Sequence, residues 1–429
     1  MSSLVVTVDA LRADHLAKFG YDRDTFPVAD QVADEGTTFE RAYANGTNTG
    51  ISLPSLLTSR YRGAEPAGGG ETIATALPDD VTTIGVHSNT YFATRVPTAA
   101  GFDQLEDFDI LADSESRDQS TTQRLIDAGT ERIKPIVDTL GIRTFAERVQ
   151  ERILPASFIH ELTPYENAER TTDRALELLS TVDGEFFMWI HYMDPHRPYG
   201  IDLDTPAYTE PADEDEIRML MSKAAIHPSK VTEAERQRIV DLYDSDINYP
   251  SRHIARLFDG LRDRDLWADT DIVVTADHGE EFGDHGFYYH RNRPYEELIH
   301  VPLFVRRATS EGKTASDTSP EVAAGGIVDD QRELIDLAPT VCSFHGVEPP
   351  ATFEGADLFT GTERTVVATG SFRDNGPVVG VRRDGWKYID ADDGRELYEL
   401  TTDPDELTNV AVDHPDQCDR LETLVPASA

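Results

Sequence analysis

Acidic and imidazole side chains follow two apolar stretches of this chain, where a strand would end. Asp9 closes SLVVTVD, and Asp277 with His278 follows DIVVTA. Two carboxylates and a ring nitrogen suit a divalent cation and leave positions open for a nucleophile and a substrate oxygen. A lone Asp after a strand is more often a cap or turn residue. The stretch ADHGEEFGDHG is harder to explain structurally, because burying unpaired charge is costly.

Hydroxyl groups and a second histidine cluster supply other candidates. The stretch TNTGISLPSLLTSR (47–60) carries six hydroxyls and no cysteine or histidine. Taken alone, it predicts a hydroxyl-rich turn that leads into a helix, with Pro54 in the first turn. The stretch HYMDPHRPY (191–199) includes His191 and His196 and allows both a structural and a functional interpretation.

These residues need a sheet that brings strand ends together. Apolar β-branched runs alternate with helical patterns, which predicts an α/β sheet with helices on both faces and a ligand site beyond the carboxyl ends of the strands. The predicted strands are 3–9, 82–88, 185–194 and 271–279, and the predicted helices are 30–44, 169–182 and 235–261.

The chain divides into a large and a small part. We expect a catalytic domain over 1–358, with a helical cap or insertion at about 103–165 and a surface loop at 306–327. Short β runs separated by Gly, Asp and Pro predict a small C-terminal α+β subdomain with an antiparallel sheet over 359–429.

Charge dominates the composition. The 429 residues include 80 acidic and 39 basic side chains, which give a net charge of −41 spread over the whole length. Such a surface repels nucleic acid and anionic membranes and is typical of salt-loving microbes, so we expect a haloarchaeal source, with an acidic mesophile as the alternative. Cys342 and Cys418 form neither a disulfide framework nor a metal motif. Without a signal-peptide pattern or an 18-residue apolar stretch, a cytoplasmic protein is expected.

Five motifs together resemble the sulfatase family of the alkaline phosphatase superfamily. They are VTVDALRADHL, TNTGISLPSLLTSRY, FFMWIHYMDPHRPY, TADHGEEFGDHGFYYHRNRPYEELIHVPLF and IDLAPTVCSFHGVEPP, in the family's order and approximate spacing. The resemblance covers nearly the whole chain apart from 103–165. It implies an alkaline-phosphatase-like fold, a mixed and mostly parallel sheet, and a metal-dependent hydrolase of sulfuric or phosphoric esters. Asp9, Asp277 and His278 match the family's metal ligands.

The resemblance also implies roles for four further residues. His196 matches a histidine that contacts substrate, with His191 as a nearby helper. His290 stands where many members have a lysine that holds the oxyanion. Asn89 lies loosely where members place polar residues that contact substrate.

The chain departs from the family at its nucleophile. Sulfatases have Cys or Ser, then x-Pro-x-Arg, and oxidise that Cys or Ser to formylglycine, but Thr49 and Leu53 occupy these positions here. Threonine cannot become formylglycine, so none is expected. Phosphate-handling members of the superfamily use a Thr or Ser nucleophile, which favours phosphoric esters, whereas the overall resemblance favours sulfuric esters. Ala10 also replaces a second Asp found in many sulfatases.

The predicted mechanism is attack by Thr49, which forms a covalent ester beside one divalent ion. The ion could be calcium, magnesium, manganese or zinc. His196 or His290 would stabilise charge or protonate the leaving oxygen and then assist water. The substrate would be a small-molecule or glycan ester. Alternatives are transfer to a glycan or glycerol hydroxyl, or a catalytically silent glycan-binding member, and the oligomeric state is not predicted.

Overall fold

The computed structural model describes residues 1–61, 70–89, 101–108, 165–201, 203–309, 324–360, 363–370, 378–391 and 393–429. The strands in these ranges are β1 (Ser2–Val8), β2 (Thr37–Tyr43), β3 (Thr82–His87), β4 (Gln104–Glu106), β5 (Phe186–Tyr192), β6 (Thr270–Ala276), β7 (Glu281–Phe282), β8 (Tyr288–Tyr289), β9 (His300–Arg306), β10 (Gly326–Val328), β11 (Arg332–Glu333), β12 (Val366–Thr369), β13 (Val379–Arg383), β14 (Trp386–Ala391) and β15 (Gly394–Glu399). The helices are α1 (Val28–Ala33), α2 (Thr49–Thr58), α3 (Ile73–Ala76), α4 (Ala168–Leu179), α5 (Glu214–Ile226), α6 (Glu233–Arg262), α7 (Glu296–Ile299), α8 (Leu337–Phe344) and α9 (Pro415–Glu422).

The main sheet has the order β10-β2-β9-β6-β1-β5-β3-β4, and β11 also pairs with β2. Its pairs are parallel except where β9 lies antiparallel between β2 and β6. All residues of β1, β5 and β6 are buried, which explains their continuous apolar patterns. The predicted mixed, mostly parallel sheet is confirmed.

One edge of this sheet collects the strand ends. Strands β1, β3, β5 and β6 run in the same direction. Strand β2 shares their direction because it is antiparallel to β9, which is itself antiparallel to β6. The segments that follow β1, β2, β5 and β6 therefore leave the sheet at the same edge, and α2 begins there.

The helices form two packing groups, as expected for layers on the two faces of a sheet. Helix α6 packs against α1 and α4, whereas α8 packs against α2, α3 and β1. The predicted helices at 169–182 and 235–261 are confirmed as α4 and α6. Among the helices in the described ranges, none has the length and apolarity needed to cross a bilayer.

Two local predictions were wrong. The predicted helix at 30–44 is α1 followed by β2, because Gly36 separates them and a register shift in β2 between Phe39 and Ala42 removes the two-residue alternation typical of a strand. The spacing of the buried side chains then resembles helical spacing. Pro54 is not in the first turn, since α2 already begins at Thr49.

The C-terminal prediction is confirmed in outline. Strands β12 to β15 form a four-stranded antiparallel sheet in sequence order. In the predicted helical insertion at 103–165, residues 104–106 are the edge strand β4, and 109–164 lie outside the described residues. The predicted loop at 306–327 is bounded by β9 and β10, and its part at 310–323 also lies outside the described residues.

Candidate active site

Three predicted metal ligands meet at the carboxyl edge of the sheet. Asp9 follows β1, and Asp277 and His278 follow β6. All three are fully buried, and one ligand atom from each lies within 4.8 Å of the others. Asp9 Oδ1 and Asp277 Oδ2 are buried oxygens that accept no hydrogen bond from the described part of the chain. Two buried, unsatisfied carboxylate oxygens beside an imidazole fit a divalent cation.

Thr49 places its hydroxyl directly beside this cluster. Thr49 Oγ1 lies 3.1 Å from Asp9 Oδ2 and 3.1 Å from His278 Nε2. Thr49 is the first residue of α2, and Asn48 precedes it in an extended conformation as the N-cap. The positive end of the helix dipole therefore lies at this hydroxyl, which favours negative charge there.

The other five hydroxyls of 47–60 point elsewhere. Four of them donate to backbone carbonyl oxygens: Ser52 to Asp277, Ser55 to Ile51, Thr58 to Pro54 and Ser59 to Ile335. Thr47 is buried, and its hydroxyl has no partner in the described residues. In this stretch, only the hydroxyl of Thr49 contacts the cluster of Asp9, Asp277 and His278 through side chains.

The hydrogen bonds of His278 fix which ring nitrogen faces the site. His278 Nδ1 lies 2.7 Å from the Gly279 carbonyl oxygen, which can only accept, so Nδ1 carries the proton. A neutral ring then presents the Nε2 lone pair to Thr49 and to a cation. Burial opposes protonation of His278, but the charges of Asp277 and Asp9 outweigh it and raise the pKa of the ring.

The carboxylates themselves repel each other. Burial and the charge of Asp9 raise the pKa of Asp277, although His278 opposes this shift. Burial disfavours ionisation of Asp9 too, but His191, His196 and His278 hold its pKa below the usual range. A cation bound between the two carboxylates would remove this conflict.

The loop after β1 is held in place by its backbone. Ala10 adopts a left-handed conformation with φ of 54°, and its amide donates to Asp277 Oδ1 at 3.1 Å. The hydroxyl of Tyr243 in α6 donates to the Ala10 carbonyl at 2.6 Å and accepts from the Arg12 amide at 3.0 Å. Because a left-handed alanine costs about 1 kcal/mol, these contacts stabilise a strained turn that aims Asp9.

The two predicted catalytic histidines lie next to the cluster. The ring of His290 is 4.8 Å from that of His278 and 6.2 Å from that of His196, measured between centroids. His290 Nδ1 donates to Glu280 Oε1 at 3.1 Å, and Tyr199 donates to Glu280 Oε2 at 2.7 Å. A buried carboxylate thus orients the imidazole of His290.

His196 is held in a similar way by a backbone carbonyl. Its Nδ1 donates to the Arg197 oxygen at 2.7 Å, so Nε2 is the nitrogen that can accept a proton. Removal of the ring from water lowers the pKa of His196 to about 4, and the neighbouring charges of Arg197 and His290 act in the same direction. His196 is therefore neutral at pH 7.

The two predicted substrate-binding residues occupy different environments. His191 lies at the end of β5, with Nε2 3.4 Å from Asp9 Oδ2 and Nδ1 2.9 Å from Thr7 Oγ1. Asn89 follows β3 and donates to the sulfur of Met193 at 3.3 Å. His191 thus lies against Asp9 of the candidate metal site, and the substrate-binding roles of His191 and Asn89 both stay predictions.

Sequence reasoning did not single out Glu280, Tyr199 or Arg197. Glu280 lies in ADHGEEFGDHG and the other two lie in HYMDPHRPY. Both stretches were identified as candidates for function, but these three residues within them were not. Glu280 and Tyr199 meet only through folding, and no spacing rule relates residues 81 positions apart.

Comparisons with known proteins identify relatives of this chain. The model of the sulfatase family matches residues 3–347, which is more than half of the chain. Arylsulfatase K of Bos taurus is 26% identical over 212 residues, which are 45% of this chain and 37% of that protein. The chain thus aligns with little more than a third of this relative.

Solved structures share the fold over nearly the whole chain. The phosphonate monoester hydrolase of Agrobacterium radiobacter superposes with a TM-score of 0.68 at 20% identity and covers 99% of this chain and 94% of its own. BT4656, solved in complex with its substrate D-glucosamine-2-N,6-O-disulfate, gives a TM-score of 0.67 at 16% identity, with 99% and 96% covered. Together with the match over 3–347, these findings show that the chain belongs to the sulfatase family.

Proposed function

We propose that this chain is a metal-dependent hydrolase of sulfuric or phosphoric esters that acts through a covalent ester on Thr49. The main support is the position of Thr49 Oγ1, 3.1 Å from Asp9 Oδ2 and from His278 Nε2, beside two unsatisfied carboxylate oxygens. A relative named arylsulfatase and a structural neighbour named phosphonate monoester hydrolase support an ester of sulfur or phosphorus as the substrate.

Asp9, Asp277 and His278 would hold one divalent cation. When bound, such a cation lowers the pKa of a neighbouring hydroxyl and offsets negative charge on a sulfate or phosphate group. The protein's own residues provide the remaining functions, which are to orient the nucleophile, hold its charge and move protons.

In the first half of the reaction, Thr49 Oγ attacks sulfur or phosphorus. The new bond forms at Thr49 Oγ, and the bond to the ester oxygen breaks. Thr49 passes its hydroxyl proton to Asp9 Oδ2, which already accepts its hydrogen bond at 3.1 Å, and the leaving oxygen gains a proton from His290. The carboxylate of Glu280 holds His290 Nδ1 at 3.1 Å, so Nε2 is the nitrogen that transfers this proton.

In the second half, water attacks the same sulfur or phosphorus and the bond to Thr49 Oγ breaks. His196 is suited to accept the water proton, because it is neutral and its Nδ1 is already engaged. Asp9 returns the proton to Thr49 Oγ, His196 releases its proton to solvent and His290 takes one up, so the enzyme returns to its starting state. Threonine has no second hydroxyl from which to eliminate sulfate, so release depends on this attack.

The test compares variants on aryl sulfate and on aryl phosphate monoesters and diesters, in high salt with Ca²⁺, Mn²⁺ or Zn²⁺. Thr49→Ala and Asp277→Ala are each expected to lower kcat by on the order of a thousandfold or more. The matched control is Ser55→Ala, which removes another hydroxyl from α2 and should leave kcat unchanged. Full activity in Thr49→Ala alongside inactivity in Asp277→Ala would show that the nucleophile is assigned wrongly.

A further inference from the structure

A buried guanidinium beside the candidate site has no anionic partner among the residues that the structure describes. Arg197 is only 6% exposed, and its Nε donates no hydrogen bond to the described residues. None of the carboxylates in the described ranges lies within ion-pair distance of it, although the chain has 80 acidic side chains. Burying an unpaired charge costs several kcal/mol, so an unpaired guanidinium needs an explanation.

The other buried arginines in the described ranges all have a hydrogen-bonding partner for the guanidinium. Arg12, Arg306 and Arg382 each pair with a carboxylate, and Arg332 donates to a backbone carbonyl. Among the buried arginines that the structure describes, only Arg197 lacks such a bond.

Arg197 instead packs against the aromatic ring of Tyr289, a residue with a strained backbone conformation. Its guanidinium carbon lies 4.5 Å from the centroid of Tyr289, in cation–π contact. Tyr289 has a φ of 74°, which is strained for a bulky residue, and its hydroxyl is held by the Met221 carbonyl at 2.5 Å. Strain of this kind concentrates at ligand-binding sites.

Arg197 lies next to two residues of the candidate site. It follows His196, whose ring is 6.2 Å from that of His290. Tyr289, whose ring the Arg197 guanidinium contacts, directly precedes His290 in the chain. Both oxygens of Glu280 already bond to His290 and Tyr199, so Glu280 does not serve as the partner of the guanidinium.

We propose that Arg197 is a specificity determinant that binds a second anionic group of the substrate, a carboxylate, sulfate or phosphate, while the reacting ester occupies the Thr49 site. This inference rests on the proposed function, because the second anionic group is taken to belong to the ester that Thr49 attacks. An arginine fork suits such groups because it donates two parallel hydrogen bonds. The substrate class is thereby narrowed to esters with at least two separate negative groups.

Two matched pairs of ligands isolate the second charge. Phosphonoacetate and 3-phosphonopropionate carry a phosphonate and a carboxylate, whereas their amides, phosphonoacetamide and 3-phosphonopropionamide, differ mainly in the missing carboxylate charge. Their dissociation constants are measured by calorimetry on the full chain with Mn²⁺, at one fixed salt concentration. Turnover is not needed, so a wild type that binds but does not hydrolyse esters counts against the proposed function alone.

The wild type is expected to bind at least one acid about tenfold or more tightly than its amide. Arg197→Met should reduce that ratio to below about threefold with little change for the amide, and Arg197→Lys should retain part of it. The control Arg291→Met, at an exposed arginine that stacks on Phe287, should keep the full preference.

Several results would overturn the inference. One is a wild type without preference for either acid, and another is a preference that persists in Arg197→Met. Equal weakening of acid and amide would mean that Arg197 holds the reacting group itself. If neither Arg197→Met nor Arg197→Lys folds, Arg197 is a structural residue and the inference is wrong.

Discussion

At the residue scale, three histidines of the candidate site share one arrangement. His278, His196 and His290 each donate from Nδ1 to a fixed acceptor, which is a backbone carbonyl for the first two and Glu280 for the third. In each ring Nε2 is therefore the nitrogen left for other contacts. The difference lies in the acceptor, which is a carboxylate for His290 and a backbone carbonyl for the other two. We propose on this contrast that His290 is the acid and His196 the base.

The variant Glu280→Gln tests that assignment. Loss of the carboxylate should leave the ring of His290 less firmly oriented toward the leaving oxygen and lower kcat by about ten- to a hundredfold for esters with poor leaving groups. Esters of 4-nitrophenol, which leaves without help, should be affected much less. The measurement is kcat against the pKa of the leaving alcohol, and it should be steeper for the variant than for the wild type.

Glu281→Gln is the matched control. Burial raises the pKa of Glu281 to about 8, and the charge of Glu297 adds to the shift, so the side chain is largely protonated at pH 7 and glutamine resembles it. Its kcat should follow the wild type for every leaving group. Equal losses in Glu280→Gln for good and poor leaving groups would indicate a purely structural role.

At the scale of elements, α6 stabilises the loop that follows β1 and carries Asp9. This 30-residue helix contacts the loop after β1 through Tyr243, which is hydrogen-bonded to Ala10 and Arg12.

The long amphipathic pattern of α6 made this helix predictable from the sequence. The apolar runs of β1, β5 and β6 made those three strands predictable as well. Strand β2 was missed because a register shift hides its alternation, and the partnership of Tyr199 with Glu280 was missed because it depends on tertiary contact. The order of motifs therefore singled out Thr49 and the candidate metal ligands, which the fold brings together, but not the residues that contact them.

Tyr243→Phe tests the support from α6. The change leaves the Ala10 carbonyl and the Arg12 amide without their buried partner, and it should lower the free energy of unfolding by about 1–3 kcal/mol. Asp9 should also be held less firmly, so the affinity for Mn²⁺ should fall. Urea denaturation and calorimetry measure the two effects.

Tyr388→Phe provides the comparison, since this buried hydroxyl in β14 has no partner in the described residues. It should change neither stability nor Mn²⁺ affinity by much. Unchanged values in Tyr243→Phe as well would mean that α6 does not support the loop.

At the scale of the whole molecule, charge is the dominant property. A net charge of −41 on 429 residues disfavours the compact state through self-repulsion. The halophilic origin, the cytoplasmic location and the division at residues 358 and 359 stay predictions. Two hydrophobic clusters in the C-terminal part, around Tyr388 and around Ile389, lie on the two sides of its sheet.

Salt should therefore stabilise the fold. Raising KCl from about 0.1 M to about 1 M shortens the Debye length from about 10 Å to about 3 Å, so the thermal midpoint should rise steadily. Glycerol at matching osmolality is the control and should raise the midpoint less. A midpoint that falls with KCl, or that glycerol raises equally, would contradict screening as the cause.

The central claim is that Thr49 carries the covalent ester, and acid-quenched mass spectrometry tests it most directly. In His196→Ala, where attack by water should be slowed, a peptide spanning 47–60 is expected to gain the mass of one SO₃ or HPO₃ group, with fragmentation placing it on Thr49. The wild type should show the same adduct at lower occupancy. Steady turnover with no adduct on Thr49 in either protein, or an adduct on another side chain, would contradict the account.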